Sequence, residues 1–314
     1  MAIFGGNGYG GGIIGNATGT VTVNDCYNTG EVNTASYGGG IIGNATGTVT
    51  ATNCYNTGNV ENGGIIGYST GEVTVNNCYN TGKVNTNSDG GGIVGSSGKA
   101  TATNCSNAGD VSGGSISGGI IGSSGKATAT NCSNAGDVSG FSNTGGIIGD
   151  STEVTVDNCY NTGGVKGSPG GGISGSPYTT AKKCYNTGKI TGTGAPVGGI
   201  TSYGKAIDCY NTGKITNTGL TGGIAGCNTI AINCYNTGEI TGGSEPTGGI
   251  VGSSDTEKVD NCFNIGKVIS NSLTGGIIGN GKVTVTNCYN TGIIIGKGIS
   301  RWNNGWWRNS NKLL

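Results

Sequence analysis

Apolar and polar residues alternate one by one through short stretches of this chain, and the stretches recur. In CYNTGKV at 78–84, Cys78, Asn80, Gly82 and Val84 share one parity, and Tyr79, Thr81 and Lys83 share the other. A period of two is the signature of a strand with one buried face, whereas a helix repeats every 3.6 residues. Lys83 needs water, so Val84 and its set are expected inside, with the cysteine inside as a small hydrophobe and the aromatic outside.

Aligned on this segment, eleven copies appear, with Cys26, Cys54, Cys78, Cys105, Cys132, Cys159, Cys184, Cys209, Cys234, Cys262 and Cys288 spaced about 26 residues apart. Only Cys227 falls outside that file. One copy is nearly literal: GSSGKATATNCSNAGDVSG occupies 95–113 and again 122–140. Three residues before each cysteine stands Val or Ala, and six residues after it Val or Ile. The first Ile of every GGI (Ile13, Ile41, Ile65 and so on to Ile277) is unvarying, while the next residue drifts from Ile14 to Val94, Ser174, Thr201 and Ala225. An inward column beside a more exposed one is expected from that contrast.

Each copy therefore predicts three short strands, around GGIIG, VTVNN and CYNTGKV, separated by Gly/Asn/Thr turns. A unit this short cannot bury its apolar face alone, and stacking copies solves the problem. The expected fold is all-β: a single-stranded, right-handed parallel β-solenoid, or β-helix, of about 11 coils over 1–295. The hand follows from the strong preference of parallel crossovers. Eleven coils at ~4.8 Å give a rod of about 50 Å. The asparagine two residues after each cysteine and the glycine two further on are present in all eleven copies. They predict an asparagine ladder beside a glycine corner. The segment 296–314 leaves the repeat and carries Trp302, Trp306 and Trp307, which predicts a cap or an assembly tail.

Composition narrows the chemistry. The chain of 314 residues has 70 Gly and 12 Cys, no His, and a formal net charge of zero. Without histidine, a Ser-His-Asp or Cys-His machine and an HExxH zinc site are excluded. Cysteines one coil apart do not make a zinc cluster, so neither a metal nor a cofactor is expected. They read first as buried thiols; stacked Cβ atoms at ~4.8 Å lie slightly beyond disulfide reach. No basic block points to nucleic acid, no long apolar run points to membrane insertion, and MAIFGGNGYG lacks the marks of a signal peptide. GGNGYGGG at 5–12 has the glycines of a calcium-binding repeat but not its recurring Asp.

Three features remain as candidate chemistry. Tyr27, Tyr55, Tyr79, Tyr160, Tyr185, Tyr210, Tyr235, Phe263 and Tyr289 form an aromatic column, interrupted by Ser106 and Ser133. It reads either as a ligand-binding stripe for sugar rings or a partner protein, or as Tyr-on-Tyr packing between coils. Asp110 and Asp137 are paired carboxylates in adjacent coils, the arrangement acid–base chemistry on a sugar requires, but the literal duplication accounts for their pairing. A threonine column four residues before eight of the cysteines raises ice binding, yet only four coils extend it to Thr-x-Thr.

The unit GGIIG…VTVNNCYNTGKV, over about 11–295, resembles the GLUG-motif repeats of bacterial surface proteins. Ile stands where that family has Leu, and GGITS at 198–202 lacks the closing Gly. The resemblance implies a β-solenoid stalk or passenger on secreted, adhesin-like proteins, sometimes attached to immunoglobulin-cleaving peptidases, and hence an extracellular or cell-surface place. The leading expectation is a non-enzymatic structural or adhesive rod, a stalk, an adhesin segment or a self-assembling filament subunit joined end to end. A carbohydrate-binding module using the tyrosines, with a polysaccharide or host-surface protein as partner, and a β-helix polysaccharide-active enzyme are the alternatives.

Overall fold

The computed structural model describes residues 8–34, 36–255 and 258–297, together with the backbone of the strands Ser300–Trp302 and Gly305–Trp307. Among these residues there is no helix, and every strand pairing is parallel except that of the last two strands with each other. The chain is a β-solenoid of about eleven turns. Like residues stack on like: Tyr55 pairs with Tyr79, Val75 with Ala102, Val84 with Val111 and Gly91 with Gly118.

Each turn contributes to four stacked sheets rather than three. The Gly-Gly pair forms one narrow sheet, as at Gly90–Gly91, and the Tyr-Asn pair forms another, as at Tyr79–Asn80. The Val/Ile column, beginning at Val60 and Val84, forms a third. The fourth is the widest and holds both the second Ile and the VTV segment. In three consecutive turns these two pieces fuse into single strands, Ile66–Asn76, Val94–Thr103 and Ile121–Thr130. The expected GGIIG and CYNTGKV strands are thus each divided by a corner, although the alternation of buried and exposed residues survives the corner from Cys78 to Val84.

The Ile-Ile step corrects one expectation. Ile41 and Ile42 are both fully buried, and so are Ser174, Thr201 and Ala225 in the drifting column. The cause is a bend: the backbone N–H groups of Ile41 and Ile42 both donate to the carbonyl of Ile65, at 3.0 Å each. Two successive side chains at such a corner turn inward together, which a regular strand forbids. The drift therefore does not mark exposure.

Two apolar files make the core. One combines the isoleucines, the Val/Ala column and the cysteines from Val23 to Ile277; the other is the Val/Ile column, from Val32 to Val268. Burying one such side chain contributes roughly 1.5–3 kcal/mol. Between the files runs the asparagine ladder. A Cβ added to Gly64 would lie 2.5 Å from the Asn80 side chain and on the carbonyl of Gly92, so only glycine admits the close approach of these turns.

Candidate functional site

The turn from the wide sheet to the Tyr-Asn sheet is made by the residue just before each cysteine. Asp25, Asn53, Asn77, Asn104, Asn131, Asn158, Lys183, Asp208, Asn233, Asn261 and Asn287 all have φ between 51° and 55°. Asn and Asp tolerate this left-handed conformation better than other L-residues, which explains their presence in ten of eleven copies. The signal was in the sequence as the recurring Asn-Cys and Asp-Cys pair. The corner expected at the glycine of Asn-Thr-Gly is also present, between the Tyr-Asn strand and the Val/Ile strand, as at Asn80 and Val84.

This left-handed corner aims the cysteine inward. No disulfide joins any of the twelve cysteines; nine are buried, while Cys26, Cys227 and Cys288 are partly exposed. Each ladder thiol donates to backbone carbonyls, as Cys105 does to Thr103 at 3.3 Å and to Val75 of the preceding turn at 3.5 Å. The Cys209 thiol and burial together push the Cys184 thiol well above its ordinary pKa. The same thiol–thiol contact lowers Cys209, but burial acts upward on both, so we assign the file as neutral thiols. Among the described residues no cluster of His, Cys, Asp and Glu can hold a metal ion.

Two hydrogen-bonded ladders flank the cysteine file. In the inner one the Asn80 amide donates to Asn107 Oδ1 at 2.8 Å, Asn107 donates to Asn134 at 2.8 Å, and Asn134 to Asn161 at 2.7 Å. The second N–H of each amide meets the glycine carbonyl two residues on, as Asn107 does Gly109 at 2.7 Å. An outer ladder joins the corner residues with the opposite polarity: Asn104 donates to Asn77 and Asn131 to Asn104, at 3.1 Å each. Lys183 interrupts it.

The aromatic column lies on the outer face, as its parity requires. Its rings stack on one another. Tyr27, Tyr55 and Tyr79 form a set of three, with centroids 5.0 and 4.9 Å apart and planes within 6°. Tyr160, Tyr185, Tyr210, Tyr235, Phe263 and Tyr289 form a set of six with the same spacing. Interior members therefore have both faces covered. The end members are the more exposed, Tyr79 at 41% and Tyr160 at 38% among them. A second stack, Tyr9–Tyr37–Tyr68, was not singled out from the sequence.

Asp110 and Asp137 line a groove of about 380 Å³ with Lys83, Lys166 and Lys189. Their carboxylates serve the backbone of the next turn: Asp110 Oδ1 accepts from Asp137 N at 3.1 Å, and Asp137 Oδ1 from Gly164 N at 2.7 Å. A structural task thus engages both carboxylates. The backbone of Ser300–Trp302 adds to the Gly-Gly sheet through Arg301 and Gly275. The side chains of Trp302, Trp306 and Trp307 lie outside the described residues.

No helix of the described residues is long and apolar enough to cross a membrane. Comparison of the chain with family models, curated proteins and solved structures yields no match.

Proposed function

We propose that this chain is a non-enzymatic, load-bearing rod: a surface stalk or adhesin segment whose ends join into longer filaments. One observation carries the reading. The inner asparagine ladder runs from Asn28 to Asn290 without a break, hydrogen-bonded at every turn. Repeats that contact only their neighbours extend a surface at constant cross-section, which suits a spacer. Continuous ladders oppose bending and local opening, because each amide is held from both sides.

Extracellular or surface placement is part of the same proposal, supported by the resemblance to GLUG-motif repeats. Burial of nine thiols suits it as well, since a buried neutral thiol is protected from oxidation in a disulfide-forming environment. The test is negative-stain microscopy of the purified chain. Rigid rods about 50 Å long, or their end-to-end multiples, are expected, with the multiples lost on deletion of 301–314. Globular particles would overturn the reading.

A further inference from the structure

The aromatic stripe is not a uniform binding surface, because most of its ring faces are already taken by neighbouring rings. We propose that one place on it is a carbohydrate-binding slot, walled by the open faces of Tyr79 and Tyr160 and floored by Ser106 and Ser133.

The geometry follows from the register. Tyr79 pairs with Ser106, Ser106 with Ser133, and Ser133 with Tyr160. Tyr79 is covered on one side by Tyr55, and Tyr160 on its far side by Tyr185, with planes within 3° and 2°. Their remaining faces are therefore turned toward each other across two aromatic-free turns. Three steps of the 4.9 Å stacking distance put the ring centres about 15 Å apart. Two rings are missing from the column there, so the slot admits two rings at the spacing of the rest, one against each wall.

Pyranose rings match this site chemically. A pyranose presents C–H groups to an aromatic face and hydroxyls around its rim. The rim groups of the slot are polar on both sides. The Asn104 and Asn131 amides of the outer ladder precede the serines by two residues and are exposed. The Asp110 and Asp137 carboxylates follow them by four, at the edge of the 380 Å³ groove that also presents Lys83 and Lys166. Acceptors and donors thus stand close in sequence on either side of the two apolar walls, and apolar walls with a few polar groups are the usual composition of a small-ligand site. Single-stranded nucleic acid also stacks on aromatic walls, but it needs a continuous basic channel for its phosphates, and here two carboxylates stand among the three lysines. The two ring places favour a branched saccharide, whose neighbouring arms fold one ring over the other.

The decisive variant fills the slot. Ser106→Tyr with Ser133→Tyr completes an eleven-ring column and adds packing rather than removing it, so folding is preserved. The experiment is a glycan array of linear and branched hexose and N-acetylhexosamine oligosaccharides, read with the full chain. Binding is expected for the parent chain, stronger for branched structures, and abolished by the double tyrosine variant. Tyr79→Ala and Tyr160→Ala should each weaken binding about 10-fold, whereas Tyr210→Ala, inside the six-ring stack, should change it less than about 2-fold. Absence of binding to every glycan, or binding that persists in the filled variant, would overturn the slot. Either outcome is independent of rod formation, which microscopy reads separately.

Discussion

Asn134 stands between two identical partners: it accepts from the Asn107 amide at 2.8 Å and donates to Asn161 Oδ1 at 2.7 Å, fully buried. Its remaining N–H reaches the carbonyl of Gly136 at 2.7 Å. Removing this one side chain therefore leaves a donor, Asn107, and two acceptors without partners, deep in the rod. Each such orphan costs roughly 1–3 kcal/mol. Asn134→Ala is expected to lower unfolding free energy by about 3 kcal/mol or more, seen in urea denaturation. Asn104→Ala, in the exposed outer ladder, should cost under about 1 kcal/mol. Similar losses at the two sites would contradict the ladder's importance.

The burial pattern gives a second contrast. Ile147 is completely buried, whereas Tyr210 touches Tyr185 and Tyr235 on the outer face. Ile147→Asp places an unpaired charge in the core and should unfold several turns. Tyr210→Ala forfeits two stacking contacts, each worth about 0.5–1.5 kcal/mol, and should leave the fold intact. Circular dichroism melts of the two variants separate these outcomes; equal losses would mean that the aromatics face inward.

Most of this fold was legible because the same physical problem is solved eleven times. One copy of Cys78–Val84 gives only a parity. Eleven copies reveal which positions never vary, and invariance under repetition exposes Asn80 and Gly82 as structural. The corners were harder to read. Whether Ile42 points in or out depends on two N–H groups converging on Ile65, a tertiary hydrogen bond with no local signature. The Asn-Cys corner escaped notice because Asn53 and Asn77 read equally well as ordinary turn polarity. At the candidate slot the sequence showed the gap at Ser106 and Ser133, but only ring-on-ring stacking shows that interior faces are consumed and that Tyr79 and Tyr160 alone face the gap.

Lys183 supplies a third prediction. It is the single corner residue that is neither Asn nor Asp, yet it holds φ at 53°. A left-handed residue of this kind carries about 1–2 kcal/mol of steric cost. Lys183→Asn should recover about 1 kcal/mol and extend the outer ladder by one bond, the new amide donating to Asn158 Oδ1 as Asn158 donates to Asn131. Lys183→Gly should recover the conformational part without the hydrogen bond. A loss of thermal stability in the Asn variant would show that the lysine has a role of its own.

The thiol file predicts an alkaline weakness. Cys184 and Cys234 have folded-state pKa values well above the ordinary 9.0, in each case first through a neighbouring thiol and then through burial. A pKa raised by folding means that the folded chain holds the proton more tightly than the unfolded one. The associated stability is complete below about pH 9 and declines as pH rises, because only the unfolded thiols ionise. The slope approaches about 1.4 kcal/mol per pH unit for each such thiol. Urea midpoints should stay level from pH 7.5 to about 9 and fall from about pH 9 to 10.5, less steeply in a Cys184→Ala/Cys234→Ala variant. In the native state at neutral pH, thiol reagents should reach the partly exposed Cys26 and Cys227 and spare the interior of the file. Rapid labelling of most of the cysteines would mean that the file is open to solvent.

An experimental density map, from crystals or from cryo-microscopy, tests the central claim most directly. Successive sulfurs from Cys54 to Cys262 should lie in one straight file, one strand spacing of about 4.8 Å apart, with the inner asparagines in a parallel file beside them. A map in which those sulfurs are scattered through a helical bundle or a two-sheet sandwich would contradict the account.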